Sequence, residues 1–437
     1  MLQRLAVFCA LTVMATAEER PNILLIMADD VGVEAFAAYG GENYHTPHLD
    51  ALAEGGMRFT HCYSQPLCTP SRVKLMTGKG NLRNYVRFSI LDRNERTFAH
   101  LAQDAGYTTG VAGKWQLLGA SHYGDWAGRG TTPKQAGFDT WCLWQVADLG
   151  SRYWNPVVEI DGELQEPRQG AFGPDVFCDY LLQFSAANKD EPFLAYFPMA
   201  LVHSPFVHTP LTRTEQTADQ NKDTQQKRFA EMMTYMDLIV GRLVAGLGEL
   251  GLRENTLILF VGDNGTSRGI KSTQNGRVIT GAKSLPTDAG THVPLLASWP
   301  ARIAPGQVND DLIDFADFLP TLGDAMGRGL DPDQICDGRS FMPQLLGQVG
   351  QPREFITIYS NPRPENPNKN PRVCFARDKR FKLYDDGRLY DCVTDPLEER
   401  ELQAEDATDR QRQARSTLQR ALDGLPQEPD RLKDLSP

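Results

Sequence analysis

Residues 21–30 read Pro-Asn-Ile-Leu-Leu-Ile-Met-Ala-Asp-Asp. From Asn22 to Ala28 the run is of strand length and does not alternate between apolar and polar. A strand with only one buried face alternates, so this one is expected to be buried on both faces, as in a parallel sheet covered by helices. Thr109 to Ala112, Phe193 to Phe197 and Thr256 to Val261 have the same character. Between the last two, Phe229, Met232, Met233, Met236, Ile239, Val240, Leu243 and Leu247 recur at helical spacing and predict an amphipathic helix, its methionines serving packing. Apolar runs alternate with helical segments from Asn22 to about Leu346. That alternation predicts an α/β fold, a mostly parallel sheet flanked by helices.

The residues that follow these strands carry the chemistry. The first run ends in Asp29-Asp30, the second leads to Lys114, the third is followed by His203, and the fourth ends in Asp263-Asn264. Ligands of a parallel sheet bind at the carboxyl ends of its strands. Three carboxylates and one amide oxygen make an all-oxygen set suited to a hard cation, Ca²⁺ or Mg²⁺. One Asp-Asp pair after a strand is equally a solvated turn. Two such pairs on comparable strands favour the metal, and neither Cys nor His lies beside them to suit a softer ion.

The 437 residues exceed one ordinary core, so a large domain with a smaller one is expected. Residues 1–17 have the form of a signal peptide: Arg4, the apolar run Leu5 to Met14, then Ala15-Thr16-Ala17. The run is shorter than the ~20 residues a membrane span requires, so an exported, periplasmic or secreted protein without stable membrane insertion is expected. A net charge of −11 disfavours nucleic acid as a partner. Residues 18–350 form the expected catalytic domain and residues 351–437 a small C-terminal α+β domain. In the latter, Glu354 to Tyr359, Val373 to Arg377 and Arg380 to Tyr384 read as short strands. Asp385-Asp386-Gly387 reads as a tight turn into Arg388-Leu389-Tyr390, with a helix to follow. The Pro- and Asn-rich segment 360–372 is expected to be an irregular loop reaching over the cleft, with Arg363 and Arg372 binding substrate. The oligomeric state and the pairing of the eight cysteines are not legible.

Cys68-Thr69-Pro70-Ser71-Arg72 resembles the signature of the formylglycine-dependent sulfatases, of the alkaline-phosphatase-like superfamily. The likeness extends in order through Pro21 to Asp30, Thr46 to Ala53, Gly113-Lys114-Trp115, His203-Ser204-Pro205, Gly262-Asp263-Asn264-Gly265, Lys283 to Pro294, Leu389-Tyr390-Asp391 and Asp395-Pro396. The resemblance implies that a maturation enzyme oxidises Cys68 to Cα-formylglycine, which serves as nucleophile and as a ligand of the metal. It implies that Asp29, Asp30, Asp263 and Asn264 bind calcium, magnesium being the alternative. Arg72 would hold the formylglycine hydrate, Lys114 and Lys283 the sulfate oxygens, and His203 would protonate the leaving alcohol. The chemistry accords with these roles. A thiol would give a stable thiosulfate ester, whereas a hydrated aldehyde has one hydroxyl to attack sulfur and a second to expel sulfate. Sulfated carbohydrate is the substrate class implied, by family analogy.

The sequence departs from the family pattern at several places. Gln116 stands where a histidine is usual. Its amide can still bind a substrate oxygen but cannot act as acid or base. Asp288-Ala289-Gly290 and His292 replace the usual residues of their loop. Gly265 is expected to let the chain turn sharply after Asn264. A phosphatase or phosphonate monoester hydrolase of the same fold, or a non-catalytic homologue, are the alternatives.

Overall fold

The computed structural model describes residues 20–214, 225–364, 366, 368 and 371–427. The signal segment and part of the 360–372 loop lie outside the described residues. The strands are β1 (Asn22–Ala28), β2 (Met57–Tyr63), β3 (Thr108–Lys114), β4 (Thr140–Trp144), β5 (Glu159–Ile160), β6 (Glu163–Leu164), β7 (Phe193–Pro198), β8 (Thr256–Gly262), β9 (Lys271–Gln274), β10 (Arg277–Thr280), β11 (His292–Ser298) and β12 (Gln307–Asp314). All but the hairpin β9–β10 join one ten-stranded sheet, ordered β12-β2-β11-β8-β1-β7-β3-β4-β5-β6. Its centre, β8-β1-β7-β3-β4, is wholly parallel.

The unbroken apolar run of β1 has a direct structural cause. Ile23, Leu25 and Met27 enter one core and Leu24, Ile26 and Ala28 the other. The first core is closed by Val73, Leu75, Phe98, Phe318 and their neighbours. The second is closed by the helix Gln225–Glu249, whose Phe229, Met232, Met236 and Ile239 meet the sheet as their spacing predicts. Each such side chain, fully buried, contributes about 1.5–3 kcal/mol.

Six strands of this sheet are not apparent in the sequence: β2, β4, β5, β6, β11 and β12. β2 has a half-exposed, alternating pattern, and β11 contains Pro294, where its pairing with β2 shifts register. β11 runs antiparallel to both β8 and β2. Its beginning therefore lies at the edge where the parallel strands end.

The C-terminal strands β13 (Ile356–Ser360), β14 (Val373–Arg377), β15 (Phe381–Tyr384) and β16 (Leu389–Asp391) form a separate antiparallel sheet in that order. One face carries the helix Asp409–Asp423 through Ala414, Leu418 and Ala421. The other packs Ile356, Ile358, Phe375 and Tyr390 onto Tyr63 of β2 and Leu312 of β12. The turn expected at Asp385-Asp386-Gly387 forms, with Gly387 at φ 95° and its N–H donating to Tyr384 O at 3.0 Å. Among the described residues no helix is long and apolar enough to cross a membrane.

Candidate active site

Register brings the acidic pairs together. β1 and β8 are neighbours with Ala28 opposite Gly262, so Asp29 and Asp263 leave the sheet side by side. The Asp263 N–H still donates to Ala28 O at 2.8 Å. Asp30 donates its N–H to Asp263 Oδ1 at 3.1 Å, and Asn264 Nδ2 donates to Asp30 Oδ1 at 2.9 Å. All four side chains are fully buried. Asp30 is held at φ 63°, a left-handed conformation that costs a non-glycine residue energy and recurs at functional sites.

The other strands deliver the cations. Lys114, at the end of β3, reaches past β7 to Asp29 Oδ2 at 2.7 Å. The chain leaving β7 pairs with Asp29 through Asp29 N–H to Leu201 O and Val202 N–H to Asp29 O, both 2.8 Å. That pairing presents His203, whose Nε2 lies 3.7 Å from Asp30 Oδ2. Lys283 comes from the loop before β11 and sits 2.7 Å from the same oxygen. The loop is tied by Lys283 N–H to Thr266 O at 3.0 Å and by Ser284 N–H to Pro66 O at 2.7 Å.

Cys68 opens the buried helix Cys68–Thr77 just beyond β2. Ser71 fixes the entry, donating to Leu67 O at 2.9 Å and accepting from Gln65 N–H at 3.1 Å. Arg72, one turn on from Cys68 and so on the same face, donates to Lys114 O at 2.7 Å and lies 3.8 Å from Asp263 Oδ2. Cys68 Sγ is 3.6 Å from Gln116 Oε1. Nucleophile position, acidic cluster, three cations and Gln116 thus share one site.

The electrostatics suit a bound cation. Burial and then repulsion from Asp29 push the Asp263 carboxyl well above its usual range, against Arg72 and Lys114. Burial would also raise Asp29, but Lys114, His203, Arg72 and Lys283 hold it well below. Asp30 is likewise lowered, Lys283 and His203 overriding its burial. Burial holds His203 down to about 4, against the attraction of Asp30 and Asp29. Burial raises the Cys68 thiol, as do Asp29 and Asp263, against Lys114 and Lys283, so it makes a poor thiolate. Among the described residues, Asp29 Oδ1, Asp263 Oδ2 and Asn264 Oδ1 are buried with no hydrogen-bond partner. Buried oxygens without partners are costly, and these three come from residues whose donor chemistry suits a hard cation.

Several residues at this site carry no sequence signal. Ser267 Oγ donates to Asp30 Oδ2 at 3.2 Å. Gln145, beyond β4, is held at φ 58° with its backbone oxygen accepting from Gln116 N–H at 3.1 Å. Arg152 Nη1 lies 3.1 Å from His203 Nδ1. All three sit in irregular segments without periodicity. The chain bends at Gly265 as expected, and a Cβ there would also meet Ala289 O at 1.9 Å, so the glycine is needed for close approach of the Lys283 loop. The two arginines of the 360–372 loop part company. Arg363 lies over Phe88, 5.0 Å from the ring centroid, and Tyr85 Oη donates to Pro362 O at 3.0 Å. That places the start of the loop beside Ser89, whose N–H donates to Thr69 Oγ1 at 3.1 Å next to Cys68. Arg372 engages Asp385 and lies over Tyr359, on the C-terminal sheet.

The same sheet grips the back of the Lys283 loop. Lys382, fully buried, donates to Pro286 O and to Glu398 Oε1 at 2.8 Å, and the latter oxygen accepts Asp288 N–H at 2.8 Å. Arg377 pairs with the Asp288 carboxylate. Lys382→Met leaves Glu398 buried without its cation. It is expected to cost about 3–5 kcal/mol in urea unfolding and to lower turnover through the loosened loop; unchanged stability and turnover would refute the buttress.

A sequence profile described as Sulfatase matches residues 21–328, and one described as N-sulphoglucosamine sulphohydrolase, C-terminal, matches residues 283–427. Arylsulfatase A of Homo sapiens is 32% identical over 413 residues, spanning 83% of this chain and 74% of that protein. The structure of BT4656 in complex with its substrate D-glucosamine-2-N,6-O-disulfate is similar with a TM-score of 0.74 at 20% identity, covering 95% of this chain and 99% of that one. Phosphonate monoester hydrolase of Agrobacterium radiobacter has a TM-score of 0.69 at 20% identity, covering 92% and 95%.

Proposed function

The chain belongs to the sulfatase family, and from that premise we propose that it hydrolyses sulfate esters of carbohydrates with a formylglycine made from Cys68 and one calcium ion. Convergence carries the reading: six segments separate in sequence bring Asp29, Asp30, Cys68, Lys114, His203, Asp263 and Lys283 to one buried cluster. Asp29, Asp30, Asp263 and Asn264 would hold the cation, magnesium being the alternative, with residue 68 as a further ligand. Bound there, the cation supplies Lewis acidity, polarising a sulfate oxygen and lowering the pKa of a coordinated hydroxyl. Formylglycine supplies a hydrate with one hydroxyl to take up sulfate and a second to release it.

The remaining residues bind, orient and move protons. Lys114 and Lys283 hold sulfate oxygens as charge develops on them. Arg72, fixed by Lys114 O, steadies residue 68. His203 directs Nε2 into the cluster, where that nitrogen can hand a proton to the leaving alcohol. Gln116, beside Cys68, hydrogen-bonds a sulfate or hydroxyl oxygen and transfers no proton.

Carbohydrate as substrate draws support from the relative whose substrate is a sulfated glucosamine. Export rests on the signal-like residues 1–17, and oxidation of Cys68 calls for a formylglycine-generating or equivalent partner enzyme. The rates on an aryl sulfate and on the matching aryl phosphate test the function: sulfate is expected to react faster by orders of magnitude, and a reversed ratio would make this a phosphatase or phosphonate hydrolase. Deleting residues 363–370 tests the loop, where Arg363 would bind substrate and Arg372 would anchor the end. A loss on the order of 10-fold or more is expected on a sulfated sugar, as for lost charged hydrogen bonds, and a small one on a minimal aryl sulfate. Equal rates before and after would leave the loop without a role.

A further inference from the structure

Every other cation of the cluster has a carboxylate. Lys114 faces Asp29, Lys283 faces Asp30 and Arg72 faces Asp263. Arg152 is different. It is half-buried, and among the described residues no carboxylate pairs with it. Its guanidinium lies over Trp144 at 4.0 Å from the ring centroid. Trp144 ends β4 and is opposite Lys114 in the β3–β4 register, so this platform belongs to the same strand edge as the cluster. The next residue, Tyr153, donates its hydroxyl to Ala200 O at 2.7 Å and also to His203 O, which pins the segment to the His203 turn.

Among the described residues, the polar neighbour of the Arg152 guanidinium is His203 Nδ1, at 3.1 Å. That nitrogen also lies against Ser204 O. A ring nitrogen with a lone pair accepts from Arg152; one with a proton donates to Ser204 O; it cannot do both. The histidine is therefore an incomplete partner for a group with five donors. Stacking on an indole holds a guanidinium flat and leaves its edges open to a planar anion. Nε2 faces Asp30 and Nδ1 faces Arg152, so the arginine lies a ring width beyond the cluster. The sulfate held by Lys114 and Lys283 is not its natural counter-ion.

We infer that Arg152 binds a second anionic group of the substrate, a carboxylate or a further sulfate carried on the leaving-alcohol side of the scissile ester. This rests on the proposed sulfatase function and on His203 standing at the leaving group. It narrows the substrate class to sulfated sugars bearing another acidic substituent near the ester.

The test compares sulfooxybenzoates and sulfooxybenzenesulfonates, in their 2-, 3- and 4-isomers, with the neutral methyl sulfooxybenzoates, using the mature, calcium-loaded enzyme. The wild type is expected to favour at least one anionic isomer in kcat/KM over its neutral counterpart, and the carboxylate and sulfonate arms tell which anion fits. Arg152→Gln lowers both classes but lowers the favoured anion by a further factor on the order of 10 to 100, the range for a charged hydrogen bond. Arg152→Lys keeps much of the preference. Equal losses on charged and neutral substrates in Arg152→Gln would make the arginine a positioning residue for His203 and overturn the inference. Turnover of the neutral esters with no charge preference in the wild type would overturn it alone. No turnover of any sulfate ester would overturn the proposed function with it.

Discussion

Cys68→Ala is expected to abolish sulfate-ester turnover and leave the fold standing. The side chain opens a buried helix and its sulfur touches Gln116 Oε1 at 3.6 Å. Alanine is the best helix former and removes one atom from the core, so the stability change is expected to be within about 1–2 kcal/mol. Activity behaves differently, because the nucleophile and its second hydroxyl both disappear. Removal of a nucleophile in comparable covalent catalysis costs on the order of 10⁴-fold or more. Cys68→Ser is expected to be as inactive in a host whose maturation enzyme accepts only cysteine, since a serine can take up sulfate but has no second hydroxyl to expel it. Turnover and thermal unfolding of both variants decide the point. Near-wild-type turnover by Cys68→Ala would end the mechanism.

Removal of the proposed calcium ion is expected to be the second large effect. Three carboxylates and an amide meet in a site that water does not reach, and three of their oxygens have no hydrogen-bond partner among the described residues. Chelation is expected to cut turnover by about 10³-fold, the several kcal/mol a Lewis-acidic ion supplies, with calcium restoring it. Stability should fall with it, by about 2.7 kcal/mol at a calcium concentration 100 times Kd. The pH dependence of the stripped protein has a definite sign. In the folded state the Asp263 carboxyl is raised well above its ordinary value, by burial first and Asp29 second. Folded protein then binds more protons than unfolded protein between those two values, and this contribution to stability falls as pH rises through the window. Asp29 and Asp30 are lowered and contribute oppositely: their stability is present above the ordinary carboxylate range and is lost on acidification through their folded values. Calcium should remove the Asp263 penalty. The measurement is denaturant unfolding across pH with chelator or with calcium. Full activity and unchanged stability in chelator would show that no metal is used there.

How far the sequence discloses this depends on whether local pattern or long-range pairing sets a feature. β1, β3, β7 and β8 are legible because burial on both faces demands unbroken apolar runs. The residues at their ends follow from where such strands stop. β11 is not legible: its direction is set by pairing with β2 and β8, and Pro294 hides it. Lys283 reaches the cluster only because β11 is antiparallel, which no local pattern predicts. The family match beginning at residue 283 and running through the C-terminal sheet has a physical counterpart, since Lys382, Glu398 and Arg377 hold that loop. Arg152 and Gln145 stand in irregular segments whose course is set by contacts such as Tyr153 with His203. The left-handed backbone at Asp30, Gln116, Gln145 and Ser284 is also invisible in residue type, none being glycine.

The central claim is that the residue at position 68 acts as an aldehyde. Mass spectrometry of active enzyme from its own host, on the tryptic peptide covering residues 59–72, tests it directly. The peptide is expected to have lost the sulfur of Cys68 and to react with a hydrazine as an aldehyde does. An enzyme that hydrolyses sulfate esters at full rate while residue 68 of that peptide is only an intact cysteine, like Cys62 beside it, would contradict the account.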